Sequence, residues 1–233
     1  MKTIIILGGS SSIGKSICNE FNTQDNQIIS TYFSKKDLLN NPKNTESIYL
    51  DLNDNESIIN FSQKLVSEKI SVDILVSLAG ILPGKDLLEY SFEEIDEVLS
   101  VNFSGQAKLI RNILPLLTNK SKLLLLSSIS AQKGSYDPIY SASKAAILSF
   151  IKSLLRSIPE GSTINAIAPG LIQDSSMFKD MTKDRQEFHK KQIFSGNLLD
   201  KDDLAKIIFD LCQDHWIHLN GACIDLNGGQ FLR

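Results

Sequence analysis

The stretch TIIILGGSSSIG, from Thr3 to Gly14, decides the fold because it joins a strand pattern to a helix pattern through glycines. Its first five residues are apolar or β-branched, which predicts a strand buried on both faces. Apolar residues then recur four positions apart from Ile13 onward, which predicts a helix. Gly8 permits a tight turn, and Gly14 permits close packing of the helix on the strand. A strand, a glycine-rich turn and a helix in this order are typical of dinucleotide-binding sheets. The alternative is an ordinary glycine turn without a ligand.

Short apolar runs alternate with longer helical patterns along the rest of the chain. Strands that are apolar on both faces and separated by helices predict a parallel sheet covered on both sides. We therefore expect an α/β protein: a single Rossmann-like, doubly wound parallel sheet of about seven strands with helices on both faces, in one domain over residues 1–233. The further predicted strands are Gln27–Thr31, Ser47–Leu52, Val72–Gly80, Ser121–Ser128, Ser162–Gly170 and Ala222–Gly229. The main predicted helices are Ser12–Phe21, Glu56–Glu68, Ser91–Leu117, Tyr140–Ile158 and Lys201–Asp214.

The overall composition is that of an ordinary globular protein, with 233 residues, 42% hydrophobic residues and a net charge of -3. No basic block indicates binding to nucleic acid or to a membrane surface. No apolar run approaches the roughly 20 residues that span a bilayer. The three cysteines lack a C-x-x-C pattern, and the histidines have no other ligands at metal-binding spacing. We expect a cytoplasmic protein that binds no metal, no nucleic acid and no membrane.

The segment LGGSSSIG, from Leu7 to Gly14, resembles the T-G-x-x-x-G-x-G motif of the short-chain dehydrogenase/reductase family in its compact, classical form. The resemblance continues through other segments as far as Gly229. Leu7 replaces the threonine of the motif, and Ser12 replaces its middle glycine. The family implies a Rossmann fold, an NAD(P) cofactor and dehydrogenase or reductase activity. The residues that it assigns to the cofactor at this turn are Gly8, Ser10, Ser11, Ser12, Ile13 and Gly14.

The end of the second predicted strand indicates which form of the cofactor is used. Dinucleotide folds place an acid there to hold the ribose 2′-hydroxyl of NAD, but here Tyr32 stands in its place, followed by Ser34 and Lys35. A 2′-phosphate needs cations and hydrogen-bond donors and is repelled by a carboxylate. We therefore expect NADP(H) to be favoured over NAD(H). The alternative is that Lys35 and Lys36 are solvated loop lysines.

Three other segments match cofactor-binding positions of the family. Asp51 matches its adenine-contacting aspartate, with Leu52 beside it, and the alternative role of Asp51 is to cap the next helix. The segment SLAG resembles the family's N-N-A-G, and NAIAPGLI resembles the segment that lies along the nicotinamide. The residues assigned in these two segments are Ala79 and Gly80, and then Pro169, Gly170 and Ile172.

Tyr140 and Lys144, in YSASK, are four residues apart and are expected to share one face of a helix. A free phenol has a pKa of about 10. A neighbouring ammonium lowers that pKa, which suits donation of a proton to a carbonyl during hydride transfer. Tyr32 and Lys36 have the same spacing, so the spacing alone does not identify a site.

The resemblance supplies the missing context for the tyrosine. It matches Tyr140 and Lys144 with the family's catalytic pair and Ser128 with its catalytic serine. Asn102 matches the asparagine that kinks a helix and holds a proton-relaying water. Ser127 remains the alternative to Ser128.

The family places a substrate lid after the Pro-Gly segment, here at about residues 171–198. We expect an NADPH-dependent oxidoreductase that reduces a ketone or 3-oxo group to a secondary alcohol, or catalyses the reverse, on a small-molecule or acyl-carrier-bound substrate. The basic residues of the lid lie among acids and are interpreted as a solvated face. The resemblance also implies a homotetramer or homodimer joined through the two long helices.

Two other functions remain open at this stage. The altered glycine turn and SLAG segment are compatible with a catalytically silent nucleotide-binding regulatory or scaffold protein of the same fold. A nucleotide-sugar epimerase would need a larger substrate domain than the chain has room for.

Overall fold

Seven strands form one parallel sheet in the computed structural model, which describes residues 1–34, 42–173 and 175–232. The strands are β1 (Lys2–Leu7), β2 (Asn26–Tyr32), β3 (Thr45–Tyr49), β4 (Val72–Ser77), β5 (Leu117–Leu126), β6 (Thr163–Pro169) and β7 (Cys223–Leu226). They lie in the order β3-β2-β1-β4-β5-β6-β7. The order reverses between β1 and β4, which opens a crevice at the carboxyl edge of the sheet. The predicted α/β class and doubly wound parallel sheet are confirmed.

Helices cover both faces of the sheet because successive strand residues point to opposite sides. The helices are α1 (Ser12–Phe21), α2 (Asn55–Ser67), α3 (Phe92–Leu99), α4 (Gly105–Ile113), α5 (Ser130–Lys133), α6 (Pro138–Leu154), α7 (Ser176–Lys179), α8 (Lys183–Lys191) and α9 (Lys201–Leu211). Ile4 and Ile6 belong to a buried cluster that includes α1 and α9. Ile5 and Leu7 belong to a second cluster that includes α2, α4 and α6. The all-apolar first strand therefore supplies both cores.

The helix predicted over Ser91–Leu117 begins as expected but is not uniform. Its start is a capping box, because the Glu94 amide donates to Ser91 Oγ at 3.2 Å and the Ser91 amide donates to Glu94 Oε2 at 3.0 Å. A π-helical segment (Ser100–Ser104) then separates α3 from α4, and a 3₁₀ turn (Leu114–Leu116) follows α4. The interruption places a buried asparagine beside the crevice.

Most other predicted boundaries differ by one to four residues from those in the structure, and two of these differences bear on the site. The third strand ends at Tyr49 rather than at Leu52, because its partner strand ends at Tyr32, opposite Tyr49. Helix α6 begins at Pro138, two residues before Tyr140, because Asp137 caps it. Among the described residues, no helix is long and apolar enough to cross a membrane.

Candidate active site

The glycine turn after β1 has the shape that a dinucleotide phosphate requires. Gly8 has a φ of 77°, in the left-handed region that glycine adopts without steric cost. A Cβ on Gly14 would lie 2.5 Å from the carbonyl oxygen of Gly8, so α1 begins too close to the turn for any other residue. The Ser11 hydroxyl accepts from the Gly14 amide at 3.0 Å and caps the helix. The other amides of the first turn, those of Ser12 and Ile13, have no acceptor within the helix and could donate to a bound anion.

Ser12, which replaces the middle glycine of the family motif, does not fill this turn. It is the first residue of α1, and its side chain is exposed. The turn is held against β2 by two hydrogen bonds, from the Gly8 amide to Thr31 Oγ1 at 3.0 Å and from the Ser10 amide to the Thr31 carbonyl at 3.4 Å. The residues of the chain therefore fit a dinucleotide at this position despite the departure from the motif. Ile13 lies in the same first turn of α1.

The end of β2 lies next to this turn, as the nucleotide assignment requires. Tyr32 is half-buried, and its ring contacts the ring of Tyr49 edge-on at a centroid distance of 5.9 Å. Ser34 is exposed. Lys35 and Lys36, which the sequence assigns to the 2′-phosphate or to solvent, lie outside the described residues.

Asp51 lies at the carboxyl edge beyond β3, and its Oδ1 accepts from the Asn53 amide at 2.8 Å. The alternative role of capping the next helix is wrong, because Asp54 caps α2 and accepts from two first-turn amides at 3.0 and 3.2 Å. Leu52 is buried. Asp51 is thus not needed as a cap and is half-buried at the expected place.

A glutamine on α4 supplies the hydrogen bonds that the SLAG segment lacks. The Ser77 hydroxyl donates to Gln106 Oε1 at 2.7 Å. Gln106 Nε2 donates to the carbonyls of Ala79 at 3.0 Å and Asn102 at 2.9 Å. The buried amide therefore ties the end of β4 to the π-helical segment, and it holds Ala79 and Gly80 at the edge of the crevice.

Asn102 is fully buried in the π-helical segment, where the sequence predicts a kink. Its Oδ1 accepts from the Ile81 amide at 2.7 Å, and its Nδ2 donates to the Ile81 carbonyl and to Ser143 Oγ, each at 2.9 Å. A Cβ on Gly80 would lie 3.3 Å from Asn102 Oδ1 and 2.9 Å from Lys144 Nζ. Asn102, Gly80 and Lys144 therefore meet in one small buried region, as single π turns often do at functional sites.

Tyr140 and Lys144 share the inner face of α6, as their spacing predicts. Tyr140 is 6% exposed and lines a cavity at the carboxyl edge of the sheet, while Lys144 is 2% exposed behind it. Lys144 Nζ lies 6.0 Å from the centroid of the Tyr140 ring and donates to the Leu126 carbonyl at 2.9 Å. The Tyr140 amide donates to Asp137 Oδ1 at 2.8 Å, so the helix cap also positions the phenol.

The acidification of Tyr140 that we expected from its neighbour is not found in the protein alone. Burial raises the pKa of Tyr140, a hydrogen bond with Ser128 opposes that rise, and the charge of Asp137 adds to it. Burial also lowers the pKa of Lys144 to about 8. The ammonium is directed at a backbone carbonyl, and burial is the largest cause of the pKa shift of both groups.

The two candidate serines point in different directions. Ser128 lines the cavity with Tyr140, opposes the rise that burial causes in the pKa of Tyr140, and accepts through its hydroxyl from the Ser130 amide at 3.1 Å. Ser127 is buried, and its hydroxyl donates to the backbone carbonyl of Lys144 at 2.9 Å. The geometry therefore brings Ser128, and not Ser127, to the phenol.

The Pro-Gly segment forms one wall of this cavity, which has a volume of about 1180 Å³. Pro169 ends β6, and the Gly170 amide donates to the Leu226 carbonyl at 2.9 Å. Ile172 is buried and pairs with Leu199 across the base of the lid. A volume of this size holds a nicotinamide ring together with a substrate of moderate size. From the lid, the apolar candidates Met177, Met181 and Phe188 line it.

Asp137 is a site residue that the sequence interpretation missed. Its Oδ2 accepts from the Tyr90 hydroxyl at 2.7 Å and from the Gly84 amide at 3.0 Å, while Oδ1 caps α6. The signal was present, because an aspartate followed by Pro138 is a typical start of a helix. Gln106 had no such signal, since a glutamine inside a helix is usually exposed.

Comparison with known proteins agrees with this geometry. A family model described as Enoyl-(Acyl carrier protein) reductase matches residues 8–230. The 3-oxoacyl-[acyl-carrier-protein] reductase FabG of Escherichia coli (strain K12) is 26% identical over 241 residues, covering 99% of this chain and 98% of that protein. The protein of the same name from Aquifex aeolicus (strain VF5) is 28% identical over 233 residues, covering 98% and 87%.

Solved structures are equally similar over the whole chain. The short-chain dehydrogenase/reductase "SDR:Glucose/ribitol dehydrogenase" from Brucella melitensis has a TM-score of 0.91 at 25% identity, covering 100% of this chain and 97% of that chain. A dehydrogenase/reductase from Sinorhizobium meliloti 1021 has a TM-score of 0.88 at 27% identity, covering 99% and 95%.

The fold and the site define an oxidoreductase of the Rossmann class that acts on CH–OH and C=O groups with NAD(P). More narrowly, the chain belongs to the short-chain dehydrogenase/reductase family, and among its members it resembles the 3-oxoacyl-acyl-carrier-protein reductases.

Proposed function

We propose that this protein uses NADPH to reduce a ketone or 3-oxo group to a secondary alcohol, with Tyr140 as the proton donor. The observation that carries the proposal is the position of Tyr140 and Ser128 together in the lining of one cavity, with Lys144 buried behind the phenol. The relatives named 3-oxoacyl-[acyl-carrier-protein] reductase support a 3-oxo thioester, on an acyl carrier or on a small molecule, as the substrate. The catalytically silent alternative is not favoured, because the family match covers the chain and Asn102, Ser128, Tyr140 and Lys144 lie together.

In this proposal the two hydroxyls hold the carbonyl oxygen and Tyr140 gives it a proton. NADPH, when bound, supplies the hydride that the carbonyl carbon receives. A raised pKa keeps Tyr140 protonated at neutral pH, so the phenol is ready to act as an acid in the direction of reduction. Lys144 binds the ribose hydroxyls and stabilises the phenolate that remains after proton transfer. Asn102 holds the backbone beside Lys144, where the resemblance places a proton relay.

The cofactor occupies the carboxyl edge of the sheet in this proposal. The glycine turn binds its phosphates, through Gly8 and Ser10 to Gly14. Tyr32 and Ser34 would face the 2′-phosphate, Lys35, outside the described residues, is assigned to it from the sequence, and the end of β2 has no carboxylate to repel it. The adenine and nicotinamide positions are assigned to Asp51, Leu52, Ala79, Gly80, Pro169, Gly170 and Ile172. A lower Michaelis constant for NADH than for NADPH contradicts the cofactor preference.

Steady-state reduction of an acetoacetyl thioester tests the role of the phenol. Tyr140→Phe is expected to lower kcat by roughly 10²-fold or more, since general-acid catalysis contributes that much. The matched control is Tyr49→Phe, at an exposed tyrosine outside the cavity lining, which leaves kcat unchanged. Undiminished kcat in Tyr140→Phe contradicts the proposal. A crotonyl thioester, assayed in parallel with the acetoacetyl thioester, tests whether the protein reduces a C=C bond instead of a ketone.

The serine assignment has its own matched pair of variants. Ser128→Ala is expected to lower kcat about tenfold or more, because it removes a donor to the developing oxyanion. Ser127→Ala removes only a buried hydrogen bond to the backbone, which is worth about 1 kcal/mol of stability. The opposite pattern would reassign the role to Ser127.

A homodimer or homotetramer remains a proposal from the resemblance. Light scattering during gel filtration tests it, and a monomer at micromolar concentration contradicts it. The cytoplasmic location stays a prediction.

A further inference from the structure

One wall of the substrate cavity carries positive charge that the proposed chemistry does not use. Lys133, at the end of α5, and Arg185 and His189, both on α8, line the cavity together with Tyr140. We call these three residues the cationic wall. They come from two separate segments, the helix that follows Ser128 and the lid.

The members of the cationic wall lie close enough to sense one another. The pKa of His189 is lowered, first by burial and then by the positive charges of Lys133 and Arg185. The Arg185 guanidinium lies 5.8 Å from the centroid of the Tyr136 ring, which also lines the cavity. Lys133 and Arg185 therefore lie near the same imidazole in the cavity wall.

The carboxylates described near these cations do not pair with them, and Glu89, beside the Tyr136 ring, accepts from the Tyr136 hydroxyl at 3.3 Å. Within the described ranges, Lys133 and Arg185 form no ion pair, whereas Lys190 on the same helix as Arg185 pairs with Glu187 at 3.0 Å. Two acids line the cavity, but Asp137 already accepts from Tyr140, Tyr90 and Gly84, and Asp180 is exposed to solvent. Arg185 is exposed, as the solvated face expected from the lid sequence requires, and it also lines the cavity, as does the exposed Lys133.

The half-buried side chain of Gln230, beside the wall, has an amide oxygen without a partner among the described residues. Gln230 Nε2 lies 3.3 Å from His189 Nδ1 and 3.3 Å from Gln192 Oε1. Gln230 Oε1 itself is buried. A buried acceptor without a partner is unfavourable, so a donor elsewhere on the substrate, and not its anionic group, is favoured there. All three side chains line the cavity.

We propose that the cationic wall binds an anionic group, a carboxylate or a phosphate, on the carbonyl substrate. The inference rests on the proposed function and specifies the class of substrate. Arg185 supplies planar, bidentate donors, and Lys133 supplies a point charge. The substrate is thus a keto compound with its anion at a distance from the reacting carbonyl, and it spans from Tyr140 to the lid.

Two matched pairs of substrates test the inference. The first pair is 4-oxopentanoate and its methyl ester, which differ in a carboxylate. The second is the acetoacetyl thioester of pantetheine with and without its 4′-phosphate. The anionic member of at least one pair is expected to have a kcat/KM about tenfold higher or more, as a charge-assisted contact provides. A response of the first pair indicates a small keto acid, and a response of the second indicates a carrier phosphate.

The variants Arg185→Gln and Lys133→Gln are expected to bring that ratio close to one, chiefly by raising KM for the anionic member. Lys183→Gln is the matched control, because Lys183 is exposed on the same helix and lies outside the cavity lining. Equal kcat/KM within both pairs overturns the inference, and so does a preference that both variants retain. Reduction of the neutral substrates would leave the proposed function standing in either case.

A binding measurement covers the case in which no carbonyl compound is reduced. Inorganic phosphate or succinate is expected to raise the Tm of the wild-type protein and of Lys183→Gln, but not that of Arg185→Gln. An equal rise in all three proteins, or none in the wild type, overturns the inference. Loss of turnover alone would count against the proposed function only.

Discussion

Replacing Asp137 by alanine removes more than a helix cap. The carboxylate is 2% exposed and accepts from the Tyr140 amide at 2.8 Å, the Tyr90 hydroxyl at 2.7 Å and the Gly84 amide at 3.0 Å. Loss of an N-cap costs about 1 kcal/mol. Each half-buried donor left without an acceptor costs about 1 kcal/mol more, at the lower end of the usual range. We expect Asp137→Ala to lower the free energy of unfolding by about 3 kcal/mol.

That loss converts into a measurable change in melting temperature. For 233 residues, an unfolding entropy of about 2.1 cal/mol/K per residue gives a decrease in Tm of about 6 °C. The matched control is Asp54→Ala, because Asp54 caps α2 through two amides but is exposed. The control is expected to lose about 1 kcal/mol, or about 2 °C. Thermal unfolding followed by circular dichroism measures both.

A further substitution, Tyr90→Phe, made in the wild type and in Asp137→Ala, tells whether Asp137 acts only as a helix cap or also as the acceptor of a buried hydrogen-bond network. In the wild type, Tyr90→Phe removes a favourable hydrogen bond and lowers Tm. In Asp137→Ala the same change removes a donor that has lost its acceptor, so Tm rises. Because Asp137 also positions Tyr140, kcat falls in Asp137→Ala while the dissociation constant of NADPH changes little. Equal decreases in Tm for Asp137→Ala and Asp54→Ala, without the change of sign at Tyr90, refute this reasoning.

Three further predictions concern the residues behind the phenol. Burial lowers the pKa of Lys144 to about 8, while the unfolded chain keeps its usual value of about 10.4. Between these pH values the unfolded state binds more protons than the folded state, so the free energy of unfolding rises with pH. Lys144→Met is expected to flatten that rise, measured by urea unfolding at several pH values. An unchanged dependence of stability on pH contradicts this prediction. Gly105→Ala places a Cβ onto the Leu52 carbonyl oxygen and is expected to lower Tm and kcat together, whereas normal values of both would show that the π-helical segment can shift. Gln106→Leu leaves the Ser77 hydroxyl and the Ala79 carbonyl without their partner and is expected to cost about 2 kcal/mol by urea unfolding, so a wild-type midpoint counts against its role.

The strength of the sequence signal differed between the parts of the site. The candidate catalytic residues could be chosen from the sequence because the family resemblance supplied the context that the Tyr-x-x-x-Lys spacing alone lacks. Asp137 was visible as an aspartate before a proline but was not recognised. Gln106 could not be found, because nothing in a helical glutamine indicates which loop it will contact.

The sequence by itself determined the parallel sheet, its two cores and the glycine turn, because strand alternation, helical spacing and backbone freedom are local properties of the chain. Only the tertiary structure decided the pKa shifts of the site residues and which side chains line the cavity. Burial depends on which elements pack together, and here it raises the pKa of Tyr140, lowers the pKa of Lys144 and directs the ammonium at Leu126. Folding likewise brings Lys133 and Arg185, 52 positions apart in the chain, into the wall of one cavity.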